Sequence, residues 1–129
     1  MAKYVFGIDL GTTYSCIAYV DETGRATVVN NQEGTNTTPS VVHFESSSKA
    51  IVGQVAKELA VIEPSRTISL VKTMMGKTNF AINCDGHDFS PEAVSAEILK
   101  KLAKDASEIV GTQVKDVVIT CPAYFGDAE

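Results

Sequence analysis

The sequence predicts an α/β protein built on a mixed sheet, and three observations carry that prediction. Short apolar, β-branched runs at Tyr4 to Leu10, Ser15 to Val20 and Arg25 to Asn30 follow one another across turn-forming residues, so the chain opens as an antiparallel meander. Val94, Ile98, Leu102, Ala106 and Ile109 then repeat at helical spacing. That pattern describes a helix of about 20 residues, roughly 30 Å long. Val117, Val118 and Ile119 stand in succession after it, as in a strand covered on both faces and laid parallel to an earlier one by the crossover helix.

In chain order, Gly11-Thr12-Thr13 separates the first two strands and Asp21-Glu22-Thr23-Gly24 makes the second turn. Asn30 to Pro39 is polar throughout, has no hydrophobic period and reads as a loop into a strand at Ser40 to Glu45. Ala50 to Val52 is a short strand. Val55, Leu59 and Ile62 then fall on one face of a helix that must stop before Pro64. A second short helix is expected from Ser65, with Ile68, Val71 and Met75 on its apolar face, Lys72 offset from them and Gly76 as its left-handed cap. Asp85-Gly86 between short alternating segments signals a hairpin. The long helix has Ser90 at its N-cap, Pro91 in its first position and Gly111 at its close.

Composition bounds the function. With 129 residues, 44% hydrophobic and 21% charged, the chain is ordinary globular material. A net charge of -5 without a basic patch speaks against nucleic acid and anionic membrane as partners. No apolar stretch approaches the roughly 18 residues of a membrane helix, and Met1-Ala2-Lys3 leads into a strand pattern, so a cytoplasmic protein is expected. Cys16, Cys84 and Cys121 are odd in number and widely spaced, which fits reduced thiols.

The chemistry concentrates at Val5 to Ser15, where an apolar strand delivers Asp9 into a turn of Gly11, Thr12 and Thr13. Glycine lets the backbone approach an anion closely. Hydroxyls and N–H groups of Thr12, Thr13 and Tyr14 can then converge on phosphate oxygens, while Asp9 offers the hard oxygen that Mg²⁺ prefers. An ordinary hairpin turn whose Asp accepts backbone hydrogen bonds fits the same residues.

Taken in order, Ile8-Asp9-Leu10-Gly11-Thr12-Thr13-Tyr14-Ser15, Thr38-Pro39-Ser40-Val41-Val42, Val52-Gly53, Lys72 with Met75-Gly76, and Val118-Ile119-Thr120-Cys121-Pro122-Ala123-Tyr124-Phe125 resemble the N-terminal ATPase region of 70-kDa heat-shock chaperones, of the DnaK type. The first motif alone leaves actin-like and sugar-kinase readings open. The Thr-Pro-Ser and Pro-Ala-Tyr-Phe segments narrow it to the chaperones.

That resemblance implies a ribonuclease H-like (actin-like ATPase) fold, here an incomplete first lobe of the nucleotide-binding domain. A core subdomain would comprise residues 1–38 and 90–129, with a peripheral one at 39–89. It implies ATP or ADP with Mg²⁺ as cofactors, Asp9 holding Mg²⁺ through water, and Gly11, Thr12, Thr13 and Tyr14 cradling the phosphates. Lys72 would be catalytic, and Pro122 and Tyr124 would serve interdomain signalling. Implied partners of the whole protein are unfolded polypeptide clients, a J-domain co-chaperone and a nucleotide-exchange factor. The family's second phosphate loop, adenosine-binding residues and peptide-binding domain would lie beyond Phe125, so this stretch alone is expected to be inactive and to self-associate. A stand-alone non-catalytic stub of the same fold is the rival reading. Cys121 and Gly126 depart from the family's usual aliphatic residue and Asn, and the segment between Gly76 and Ser90 is compact.

Other signals are weaker. Gly76-Lys77-Thr78 resembles the end of a P-loop, but Val71 stands where its first glycine is required. Asn36-Thr37-Thr38 fits a glycosylation acceptor without a secretory signal, and His43 and His87 have no cysteine nearby to suggest zinc.

Overall fold

A computed structural model describes residues 5–11, 13–46, 48–69, 82–84, 87–89, 91–112, 114 and 116–120. Strands β1 (Val5–Asp9), β2 (Tyr14–Val20) and β3 (Ala26–Val29) form the expected antiparallel meander. β4 (Thr38–Pro39) adds to the end of β2, β5 (Val41–Ser46) pairs with β6 (Lys49–Val52), and helix α1 (Gln54–Ile62) follows. After a 3₁₀ turn at Pro64–Arg66 come β7 (Thr67–Ser69), β8 (Ile82–Cys84), β9 (His87–Phe89), the long helix α2 (Pro91–Val110) and β10 (Asp116–Thr120).

The main sheet runs β10-β1-β2-β3, and β10 lies parallel to β1 with Asp9 opposite Thr120. A second sheet has the order β6-β5-β7. Val94, Ile98, Leu102 and Ala106 of α2 pack against Phe6, Ile8 and Ile17 of the main sheet and against Val42, Phe44 and Ile68 of the second in one apolar core. Gly111, at φ 80, donates its N–H to the Ser107 carbonyl and ends α2 in the left-handed cap its sequence calls for.

Several expectations need correction. Ile68 belongs to β7 and not to a second helix. Pro64 starts only a 3₁₀ turn, after which the β-branched pair Thr67 and Ile68 joins β5, with Ile68 opposite Val42. Val71, Lys72, Met75 and Gly76 lie outside the described residues. In α1 the buried residue is Ala56, while Val55 and Ile62 are exposed, because a small side chain lets the helix sit close on β5. In α2, Ile109 is 55% exposed and Val110 packs on the core in its place. β10 is not covered on both faces: Val118 is 63% and Ile119 43% exposed. The segment before Pro39 is also more ordered than a solvated loop. Asn31 is buried and satisfied by Thr35, Thr37 and Thr38, bringing Thr38 and Pro39 alongside β2.

Cys84 pairs with His87, which leaves two residues for the hairpin turn, as a primed turn requires; Asp85 and Gly86 themselves, like Ser90, lie outside the described residues.

Candidate functional site: the Asp9 to Tyr14 turn

β1 alternates Phe6 and Ile8 into the core, which turns Val5, Gly7 and Asp9 to the opposite, open face. Asp9 stands at the carboxyl end of β1, flanked in register by Thr120 of β10 and Cys16 of β2. Its side chain is exposed. The Thr120 hydroxyl lies 3.1 Å from Asp9 Oδ1 and 3.3 Å from the Ile8 carbonyl oxygen, which restrains the carboxylate on one side. Leu10 N–H continues the ladder to the Thr120 carbonyl at 2.9 Å. Burial and the neighbouring Asp9 charge push the Cys16 thiol up, against a hydrogen bond with the Asp9 backbone that acts the other way, so Cys16 is held as a neutral thiol beside the carboxylate.

The turn beyond Asp9 is tight at Gly11. A Cβ there would stand 2.2 Å from the Tyr14 carbonyl oxygen, far inside any real contact, so the conformation admits only glycine. Its inner side is fixed by buried serines. Ser40 Oγ lies 2.7 Å from the Gly11 carbonyl oxygen and 2.8 Å from Ser15 Oγ, and Ser40 N–H donates to the Thr13 carbonyl at 2.9 Å. Tyr14 projects outward, with Lys57 Nζ of α1 3.4 Å from its hydroxyl and 5.4 Å from its ring centre.

Of the residues singled out in the sequence, Asp9, Gly11, Thr13 and Tyr14 therefore stand together at one end of the main sheet. Thr12, Lys72, Pro122 and Tyr124 lie outside the described residues. The sequence does not show Ser15, Ser40, Lys57 or Thr120 as partners of the turn. Ser15, Ser40 and Thr120 stand in the family motifs, but their meeting around the turn depends on the pairing of β2 with β4 and of β1 with β10, and nothing local marks Lys57.

A family model described as Hsp70 protein matches residues 5–83 and 77–129. The chain belongs to the Hsp70 family. It is 47% identical over 127 residues to the chaperone protein DnaK of Thermosipho melanesiensis, covering 98% of this chain and 21% of that protein. The DnaK proteins of Thermotoga neapolitana and Thermosipho africanus are each 46% identical over the same length and share. This Hsp70 chain thus spans about a fifth of the length of the curated relatives it matches. Family membership carries the actin-like ATPase fold, to which the parallel β10-β1 pair, the antiparallel meander and the crossover helix conform. It also sets aside the actin-like and sugar-kinase alternatives as families for this chain.

Proposed function

We propose that this chain is the N-terminal part of an ATP-dependent chaperone that couples ATP binding and hydrolysis to the binding and release of unfolded polypeptides in the cytoplasm. The observation that carries the reading is an exposed carboxylate, Asp9, beside a turn so tight at Gly11 that a Cβ would meet the Tyr14 carbonyl oxygen at 2.2 Å. An acidic oxygen next to a closely approachable backbone suits Mg²⁺ with phosphate. A carboxylate that holds the cation through coordinated water leaves the cation's own shell to water and phosphate oxygens.

On this reading Asp9 holds Mg²⁺ through coordinated water, and Gly11, Thr12, Thr13 and Tyr14 bind the β- and γ-phosphates of ATP, or the β-phosphate of ADP. The cation, when bound, offsets phosphate charge. Lys72 is the catalytic residue, its compact ammonium orienting the attacking water and offsetting charge that develops on the transferred group. Pro122 and Tyr124 relay the state of the site to the rest of the protein. The core subdomain is residues 1–38 with 90–129, the peripheral one 39–89. Client polypeptides, a J-domain co-chaperone and a nucleotide-exchange factor act on the whole protein.

The test uses the full-length protein containing this chain. Lys72→Ala should leave Mg-ATP affinity in place and cut turnover by at least about a hundredfold, because its charge matters most in the transition state. Asp9→Asn should lower Mg²⁺-dependent affinity as well as rate. Turnover at saturation unchanged in both variants would refute the assigned roles.

A further inference from the structure

The Thr-Pro-Ser segment lies directly behind the turn, and its hydrogen bonds can be followed proton by proton. Each serine hydroxyl has one proton to give. Ser40 Oγ is closest to the Gly11 carbonyl oxygen, at 2.7 Å, so its proton goes there. Ser40 Oγ must then accept from Ser15 Oγ at 2.8 Å, since Ser15 stands 3.5 Å from the Gly11 carbonyl and is too far to be that group's main donor. The result is a directed chain from Ser15 through Ser40 to Gly11. From the same residue, the Ser40 N–H donates to the Thr13 carbonyl at 2.9 Å. Ser40 thereby grips the turn at both ends, with its side chain on one carbonyl and its backbone on the other.

This grip has a directional consequence. In a planar trans peptide the C=O and the following N–H point to opposite sides. A Thr13 carbonyl held inward by Ser40 therefore turns the Tyr14 N–H away from the serines. Both serines are buried, Ser40 completely, so water cannot substitute for either partner at little cost. The support continues inward: Thr38, paired with Ser15 across β4 and β2, shares its hydroxyl with Asn31 Nδ2 at 3.0 Å.

We propose that Ser40, oriented by Ser15, is a positioning residue that presets the Gly11 to Tyr14 turn for phosphate before any nucleotide arrives. The inference rests on the turn being the phosphate site of the proposed function. Ser40 touches no ligand itself; it acts by holding two carbonyls out of the anion's way, which removes an ordering cost from binding.

Binding of Mg-ATP and of adenosine to the full-length protein, compared by calorimetry, tests this. Ser40→Ala should lower Mg-ATP affinity about tenfold, the effect of one net hydrogen bond, while adenosine affinity stays within about twofold. Ser15→Ala should lose less, and the double variant should lose no more than Ser40→Ala alone, because the two hydroxyls act in series. Without nucleotide, the Tyr14 amide should exchange hydrogen faster in Ser40→Ala. Mg-ATP affinity unchanged in Ser40→Ala, or ATP and adenosine affinities falling in parallel, overturns the inference while leaving the functional reading intact. Should Ser40→Ala not fold, Ser15→Ala decides: a loss for Mg-ATP alone supports the relay, and equal losses or none overturn it. Failure of the unsubstituted protein to bind Mg-ATP overturns the functional reading and this inference with it.

Discussion

At the scale of single residues, the two glycines of the first hairpin make opposite demands. Nothing lies within 4 Å of a Cβ placed on Gly7, whereas one placed on Gly11 meets the Tyr14 carbonyl oxygen at 2.2 Å. Gly11→Ala should therefore force the backbone apart at a cost of about 1–3 kcal/mol, while Gly7→Ala changes stability by less than about 1 kcal/mol. Denaturant unfolding of the two variants checks the contrast. Asp21 offers a second residue-scale test. The Thr23 hydroxyl at 2.6 Å, then the Arg25 N–H at 3.1 Å and the Thr23 N–H at 2.9 Å, all donate to its Oδ1 and hold its carboxyl below the ordinary aspartate range. A depressed folded value means that its contribution to the β2-β3 turn is present above the unfolded value and lost as pH falls through the folded one. An NMR titration should place the Asp21 carboxyl below its free value, and Thr23→Val should move it back up.

At the scale of elements, helix α2 decides how the two sheets share a core. Ile98 is fully buried between them, and Ile109, about three turns later on the same nominal stripe, is 55% exposed. Ile98→Ala should cost about 2–5 kcal/mol and Ile109→Ala well under about 1, measured as shifts in the denaturant midpoint at constant slope. The α2 surface also fastens the loop ahead of β4. Lys101 Nζ reaches Asp105 at 2.8 Å and Glu33 at 3.2 Å, and its stem runs 3.3 Å from where a Cβ on Gly53 would be. That aliphatic stem packs over the start of α1 while its charge is satisfied beside the 31–37 loop.

At the scale of the whole molecule, β10 lies at the end of the main sheet among the described strands and leaves Val118 and Ile119 largely open. Unpaired strand edges beside apolar side chains recruit another chain. A polypeptide of these 129 residues alone should therefore self-associate through the β10 edge, with a second copy pairing along it. Light scattering over a wide concentration range checks this, and a folded chain that stays monomeric at high concentration refutes it. The same polypeptide should bind Mg-ATP very weakly and release no phosphate, since phosphoryl transfer depends on groups holding the phosphates from more than one side.

The sequence alone was enough to read the meander, the crossover helix, the parallel return strand and the meeting of Asp9 with Gly11, because these rest on periodicity, turn chemistry and neighbours close along the chain. It also carried the Hsp70 motifs. It could not say which face of α1 is buried, that Ile68 would join a strand, or that Val118 and Ile119 would lie open, since each follows from what packs alongside and not from local pattern. Above all, the serines behind the turn were hidden by distance: Ser15 and Ser40 are 25 residues apart and meet only because Thr38 and Pro39 pair with the end of β2. Hydrogen bonds between buried groups depend on both partners being carried to the same place, and only the tertiary structure does that.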